Sequence, residues 1–282
     1  MRLLRIGEPG AERPAVERDD VWFDARPVTD DFDGQFFAGG GVDRLRAALD
    51  AGELPEVPRS SVRMGPPIAR PGKVVCIGLN YRDHAAETGA AIPAEPVVFM
   101  KDPSTVIGPY DEVLVPRGST KTDWEVELGV VIGTTARYLA SPDEALGHVA
   151  GYAVSHDVSE REFQLERGGQ WDKGKSCETF NPFGPVLVPA SNVSDPQALG
   201  LRLSVNGVVR QEGSTANMVF PVAHLIAYLS QFMVLQPGDV INTGTPAGVA
   251  LGMADAPYLR PNDRIELEID GLGRQSQRMV QA

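Results

Sequence analysis

Residues 123–132 read Asp-Trp-Glu-Val-Glu-Leu-Gly-Val-Val-Ile, and this stretch is the most informative part of the chain. Its apolar, β-branched character predicts a buried strand. Residues two apart on a strand share a face, so Glu125 and Glu127 are predicted to project the same way from an otherwise apolar element. Burying two neighbouring carboxylates is costly unless their charge is compensated. The stretch therefore predicts a strand that carries a charged site.

A third carboxylate, Asp157, directly follows another apolar run, residues 149–156. Together Glu125, Glu127 and Asp157 would supply the oxygen ligands that hard divalent cations prefer, and Mg²⁺, Mn²⁺ and Ca²⁺ all suit such a set. A solvated strand edge, or pairing with Arg or Lys, also explains the two glutamates, because acidic residues at this spacing are common. The residues alone leave both interpretations open.

Composition narrows the class of protein. A chain of 282 residues can form one large domain or a large and a small one, and 42% hydrophobic residues allow a sizeable core. The net charge of −12 argues against a nucleic-acid or anionic-membrane partner. The two cysteines, Cys76 and Cys177, suit a reducing compartment. The longest apolar run, residues 222–235, falls short of the roughly 20 residues that a membrane helix needs. We therefore expect a soluble, cytoplasmic protein.

The chain is predicted to contain two units. Residues 1–70 suggest a small N-terminal α/β domain with a short helix at 42–49, which ends in a proline-rich linker, and residues 71–282 a larger domain. A helix is predicted at 221–233, with an apolar stripe that includes Phe232. Strands dominate and do not alternate regularly with helices, which predicts an α+β, mainly β fold. The predicted strands cover residues 74–78, 97–100, 113–115, 125–132, 149–156, 185–188, 201–205, 208–211, 239–243 and 265–269.

Residues 169–176 match the P-loop pattern of nucleotide-binding proteins letter for letter. A P-loop needs a buried strand before it and a helix after it, so that backbone amides can hold phosphate. The preceding residues 159–167 are instead charged and typical of a helix, and Pro182 and Pro185 disfavour a helix afterwards. We therefore reject nucleotide binding. Lys175 remains of interest, because a lysine facing the carboxylates would stabilise an enolate or oxyanion, although a surface lysine is the alternative.

His84 and Glu87 form a second candidate cluster. Their i, i+3 spacing, in a stretch of helical composition, would place them side by side. A carboxylate beside an imidazole fixes its tautomer and raises its basicity, as a water-activating base requires. A surface ion pair explains the spacing equally well. The small residues and glycine of 88–93 are typical of a mobile lid, and the Gly- and Thr-rich residues 242–249 of a turn that offers amides to a carboxylate.

Taken in order, these stretches resemble the fumarylacetoacetate hydrolase family over residues 73–279. The resemblance implies a mixed β-sandwich roll around a Mg²⁺ or Mn²⁺ site, usually in a homodimer. It implies that Glu125, Glu127 and Asp157 are the metal ligands, and that His84, Glu87 and Lys175 are catalytic. Substrate contacts are implied for the remaining matching positions, Arg161, Gln164, Thr245, Tyr81 and Lys101. The motifs that carry the resemblance are residues 78–81, His84 with Glu87, 99–101, 125–127, 157–161, Lys175 and 243–246.

Two details qualify the resemblance. Arg161 and Gln164 follow Asp157 by four and seven residues, which predicts that all three lie on one helix face. Many relatives continue Lys101 directly with Pro-Ser, but Asp102 intervenes here, so no role is assigned to Ser104. The longer N-terminal segment is similar to a branch that includes hydrolases of 2,4-diketo-3-deoxy sugar acids.

The implied reaction is metal-dependent hydrolysis of a C–C bond in a 2,4-diketo acid (an acylpyruvate), releasing pyruvate. The partner would be a small anionic keto acid, with no nucleic acid or membrane involved. Oxaloacetate-type decarboxylation, or hydration or isomerisation of a 2-oxo-4-enoate, would use the same site. A non-enzymatic alternative is a metal-stabilised scaffold or sensor.

Overall fold

The computed structural model describes residues 1–59 and 62–282. In chain order the N-terminal elements are β1 (Arg2–Ile6), β2 (Arg13–Arg18), β3 (Val21–Asp24), α1 (Gly34–Ala38), α2 (Gly41–Asp50), β4 (Glu56–Val57) and β5 (Met64–Gly65). The others are β6 (Val74–Gly78), α3 (Arg82–Thr88), β7 (Val97–Lys101), β8 (Val106–Ile107), β9 (Val113–Val115), β10 (Thr122–Asp123), β11 (Val126–Ile132), β12 (Val149–His156), β13 (Ser159–Glu160), α4 (Asp172–Lys175), β14 (Asn181–Pro182), β15 (Val188–Pro189), β16 (Gly200–Val205), β17 (Val208–Ser214), α5 (Val222–Leu229), β18 (Val240–Asn242), β19 (Arg264–Ile269) and β20 (Gly273–Gln281).

A six-stranded sheet in the order β15-β12-β11-β18-β6-β7 lies at the centre of the molecule, and all its pairings except β18–β6 are antiparallel. One face, with Val126 and Leu128, packs against apolar side chains of a five-stranded sheet, β17-β16-β19-β20-β9. The opposite face, with Val131, packs against Phe32 and Phe36 of the N-terminal region. Burial on both faces explains why every residue of β11 is buried and why Glu127 is its only ionisable residue.

The structure confirms the α+β, strand-dominated fold class. The N-terminal sheet, β4-β3-β2-β1-β5, carries α1 and α2 between β3 and β4. Its residues contribute to the same apolar cluster as the central sheet. The division of the chain near residue 70 stays a prediction. None of the helices within residues 1–59 and 62–282 has the length and apolar character needed to cross a bilayer.

Three elements differ from expectation. The helix predicted to reach residue 233 ends at Leu229, where the Ser230 hydroxyl donates to the Ala227 carbonyl oxygen, and Phe232 is 65% exposed rather than part of the core stripe. Of the strand predicted at 185–188, only Val188 belongs to a strand, the two-residue β15, while Leu187 forms an isolated bridge with Leu3. The nine-residue strand β20 was not predicted, because buried glutamines replace the apolar residues that would reveal its alternation.

Candidate metal centre

Strand register brings the three predicted metal ligands together. Pairing of β11 with β12 sets Val126 opposite His156, and it continues to Asp157, whose backbone N–H donates to the Glu125 carbonyl oxygen at 3.0 Å. The side chains of Glu125, Glu127 and Asp157 therefore share one face of the central sheet. One carboxylate oxygen from each lies within 4.8 Å of the others, and all three residues are buried.

Three cationic side chains reach this cluster. The Lys175 Nζ donates to Glu125 Oε2 and to Asp157 Oδ2, both at 2.9 Å. The Lys101 Nζ donates to Asp157 Oδ1, and also to the Val158 carbonyl oxygen at 2.9 Å. The Arg161 guanidinium donates to Glu125 Oε1 at 2.7 Å. The pairing with Lys and Arg that the sequence left open therefore exists for Glu125 and Asp157.

Glu127 differs from its two neighbours. Its Oε2 accepts a hydrogen bond from Gly244 N at 2.8 Å, but it forms no ion pair with Lys or Arg in the described part of the chain. Burial, followed by the charges of Asp157 and Glu125, raises the pKa of Glu127 well above its usual value. Its ionised form is therefore short of positive charge, and a divalent cation would supply that charge.

The donor set fits a hard divalent ion held by Glu125, Glu127 and Asp157, because all three offer carboxylate oxygens and Glu127 forms no ion pair with Lys or Arg among the described residues. Such an ion would share Glu125 and Asp157 with the Lys175 ammonium. Burial lowers the pKa of Lys175, but Asp157 and Glu125 outweigh it and raise that pKa to about 12. Lys175 is therefore a charged hydrogen-bond donor at neutral pH, not a base.

Helix α3 positions the predicted dyad. His84 Nδ1 lies 3.2 Å from Glu87 Oε1, and Glu87 Oε2 accepts a hydrogen bond from Gly248 N at 2.6 Å. Glu87 is thus held from both sides, by its own helix and by the loop after β18. A carboxylate at Nδ1 favours the tautomer with the proton on Nδ1, which leaves Nε2 as the basic nitrogen. The surface ion pair considered from the sequence is excluded, since His84 is buried.

A cavity of about 190 Å³ joins the dyad to the carboxylates. Seven of the predicted site residues line it, namely His84, Glu125, Glu127, Arg161, Gln164, Lys175 and Thr245. Asp157 and Lys101 are buried beside it, and Glu87 lies behind His84. Tyr81 does not line the cavity either. Its hydroxyl is buried without a hydrogen-bond partner among the described residues, and burial together with the charge of Glu127 raises its pKa well above the usual value.

The prediction that Asp157, Arg161 and Gln164 lie on one helix face is wrong. After Asp157 the chain forms β13, which pairs with β10, and only Glu162–Glu166 form a short π-helical turn. Arg161 and Gln164 still meet, because Arg161 directly precedes this turn and Gln164 lies within it, and the Arg161 guanidinium donates to Gln164 Oε1 at 3.0 Å. The residues that match a P-loop contain the one-turn helix α4 and follow this turn rather than a strand. Ser104 is exposed and does not line the cavity.

Sequence reasoning missed Asp123. This buried carboxylate accepts hydrogen bonds from Arg161 Nε at 2.8 Å, from Ala250 N at 2.8 Å and from Leu251 N at 3.0 Å. It therefore orients Arg161 and ties the loop that carries Leu251 to the edge of the site. The signal was present, because Asp123 continues the alternation of Glu125 and Glu127 by one more step of two residues.

We expect Asp123→Asn to lower the free energy of unfolding by about 3–5 kcal/mol, because the change leaves a buried guanidinium short of a carboxylate and faces an amide N–H₂ towards backbone donors. Urea unfolding measures the effect. The control is Glu166→Gln, which breaks the exposed pair with Lys121 and should change the free energy of unfolding little. Equal small losses in the two variants would contradict the anchoring role of Asp123.

Comparison with known proteins identifies close relatives. The fumarylacetoacetate (FAA) hydrolase C-terminal family matches residues 73–280. A Burkholderia multivorans protein, named only provisionally as a hydrolase, is 52% identical over 98% of both chains. A solved structure of maleylpyruvate hydrolase from Sphingobium sp. SYK-6, in complex with manganese(II) and pyruvate, is 29% identical over all of both chains, with a TM-score of 0.82. A Mycobacterium abscessus structure described as a 2-hydroxyhepta-2,4-diene-1,7-dioate isomerase is 32% identical over 100% of this chain and 99% of its own, with a TM-score of 0.84.

Proposed function

The chain belongs to the fumarylacetoacetate hydrolase family of enzymes, and on this premise we propose that it hydrolyses the C–C bond of an acylpyruvate and releases pyruvate. The observation that carries the proposal is that the His84–Glu87 pair opens into the same cavity as Glu125, Glu127 and Lys175. A water-activating base and a site for developing negative charge are the two parts that this hydrolysis needs. The complex of maleylpyruvate hydrolase with manganese and pyruvate supports the same choice.

Glu125, Glu127 and Asp157 would hold Mg²⁺ or Mn²⁺. When bound, the cation would act as a Lewis acid that stabilises negative charge on the substrate's 2-keto oxygen. Lys175 and Arg161 add fixed positive charge at the cavity wall. Burial lowers the pKa of Arg161, but Asp123 and Glu125 outweigh it and raise that pKa above its usual value, so the guanidinium stays charged. These two cations suit an anionic keto acid although the protein carries a net charge of −12.

The dyad would carry the proton transfers. His84 Nε2 accepts a proton from water, and the resulting hydroxide forms a bond to the C4 carbonyl carbon. The C3–C4 bond then breaks, and its electron pair goes to the pyruvate fragment as an enolate. The protonated His84 returns the proton to C3, so water has added OH to the acyl group and H to pyruvate. Glu87 holds the imidazole in place and stabilises its positive form.

Isomerisation of a 2-oxo-4-enoate is the second candidate, favoured by the likeness to the isomerase from Mycobacterium abscessus. That reaction also passes through an enolate, and the His84 pair could move a proton between two carbons without activating water. The need for water separates hydrolysis from isomerisation, because of these two reactions only hydrolysis consumes water and produces two acids.

A substrate panel with added Mg²⁺ or Mn²⁺ tests the proposal. We expect pyruvate release from acylpyruvates, and loss of release in EDTA that either metal restores. Oxaloacetate, corrected for spontaneous decarboxylation, and a 2-oxo-4-enoate complete the panel. Full activity in EDTA would reject the metal role, while conversion of the enoate alone would replace hydrolysis with isomerisation. A metal-dependent melting temperature without turnover of any substrate would favour the scaffold alternative.

A further inference from the structure

Much of the cavity lining other than the predicted site residues is apolar, and we propose that the acyl group of the substrate is short, uncharged and apolar. This inference rests on the proposed function and names its substrate class. This apolar wall is formed by side chains of β6, β7 and three loops, namely Ile77, Leu79, Phe99, Leu165, Trp171 and Leu251. Apolar walls with few polar groups bind apolar ligand surface and fix its orientation through those few groups.

The wall is built as a packed unit. The Trp171 and Phe99 rings lie 5.3 Å apart between centroids, and Trp171 closes on the backbone at Gly78. A Cβ at Gly78 would lie 2.6 Å from the Trp171 ring, so the absence of a side chain there lets the indole reach the cavity. The apolar surface is therefore held in place by contacts on both sides, and not by the chance orientation of a loose side chain.

The cations of the cavity are already engaged. Among the described lining residues only Arg161 and Lys175 carry a fixed positive charge, and each contacts carboxylates of the site. They can serve the pyruvate end of a substrate, where the carboxylates and the dyad also lie. A second carboxylate, at the far end of the acyl group, would have to lie against the apolar part of the lining, which includes Leu165 and Leu251, and burying a charge without a partner is strongly unfavourable.

A polyhydroxylated acyl group fits equally poorly. The Thr245 hydroxyl donates to the Val126 carbonyl oxygen at 2.9 Å and accepts from Gln211 Nε2 at 2.7 Å, and Gln164 Oε1 accepts from Arg161. Few hydrogen-bonding groups remain for a row of hydroxyls. The geometry therefore disfavours the sugar-acid substrates that the sequence left open.

Turnover provides the first test. We expect kcat/KM for butyrylpyruvate to exceed that for succinylpyruvate, which ends in a carboxylate, or for a 2,4-diketo-3-deoxy sugar acid by about 10²-fold or more. Equal or higher kcat/KM for either polar substrate would overturn the inference.

A binding measurement tests this inference independently of the proposed hydrolysis. The 2-oxo acids 2-oxoheptanoate and 2-oxoheptanedioate have no 4-keto group to cleave, and they differ only in the terminal carboxylate. Calorimetry with Mg²⁺ present should give tighter binding of the mono-acid, whether or not any acylpyruvate is hydrolysed. Tighter binding of the di-acid would overturn the inference, whereas absent turnover with tighter mono-acid binding would overturn the proposed function alone.

A charge-adding variant tests the position of the apolar wall. Leu165 is 43% exposed, so Leu165→Arg can keep its guanidinium partly in water and should fold, as a melting curve can check. We expect it to shift the preference towards the carboxylate-ended substrate by about 10- to 100-fold. Leu146→Arg is the matched control, because Leu146 is 42% exposed and does not line the cavity. If folded Leu165→Arg kept its substrate preference, or if the control shifted equally, Leu165 would not contact the acyl group. Leu251→Arg provides a second variant in the apolar lining.

Discussion

Replacing Glu127 with glutamine should lower pyruvate release from an acylpyruvate by about 10³-fold or more, since a Lewis-acid cation contributes several kcal/mol to such a reaction. Glutamine keeps the shape of the side chain, and its amide oxygen can still accept the hydrogen bond from Gly244 N. It removes the one carboxylate of the cluster that forms no ion pair with Lys or Arg among the described residues. Steady-state kinetics with saturating Mg²⁺ or Mn²⁺ measures the loss.

The same variant should not be less stable without metal. The folded-state pKa of Glu127 is raised, so its contribution to stability is present below the unfolded pKa and is lost as pH rises through the folded pKa. A glutamine side chain stays neutral, so the variant does not lose that stability at neutral pH. We therefore expect the metal-free variant to melt at or above the wild-type temperature, while the further stabilisation by added metal is weakened.

Glu160→Gln is the control for Glu127→Gln. Glu160 is also buried, but its carboxylate accepts hydrogen bonds from neutral groups, including Thr122 Oγ1 at 3.1 Å and Glu162 N at 3.2 Å. The control should retain the rise in melting temperature on metal addition. If Glu127→Gln kept both its activity and its full response to metal, Glu127 would not be a ligand.

His84→Ala is expected to reduce hydrolysis by about 10² to 10⁴-fold, the usual cost of losing a general base. The loss should fall on kcat more than on KM, because His84 acts on water and on the proton returned to C3 rather than on substrate affinity. Glu87→Gln should produce a smaller loss of kcat and a displaced pH profile, since it leaves the imidazole without its carboxylate partner.

His224→Ala is the control for His84→Ala. His224 is half-buried on α5, where it stacks between Phe220 and Tyr228, and it does not line the cavity. Its loss should leave kcat near the wild-type value. Near wild-type hydrolysis by folded His84→Ala would exclude the dyad as the base, and retained conversion of an enoate with lost hydrolysis would show that His84 serves water activation alone.

Local pattern was sufficient for most of the fold. The strands predicted at 125–132, 201–205 and 208–211 became β11, β16 and β17, because short runs rich in apolar and β-branched residues predict strands without any knowledge of the tertiary structure. Strand β20 could not be predicted, because two of its three buried positions are Gln275 and Gln277. The Gln275 amide donates to the Val154 carbonyl oxygen at 2.8 Å, so a tertiary hydrogen bond takes the place of apolar burial.

The sequence by itself determined which side chains could form the site, because Glu125 and Glu127 had to share a face of any strand that contained them. Only the tertiary structure decided how that site is charged. The β11–β12 register set Asp157 opposite Glu125, and long-range packing brought Lys101, Lys175 and Arg161 to two of the three carboxylates. Spacing along a chain fixes local direction, but charge balance depends on residues far apart in sequence that meet only when the core closes.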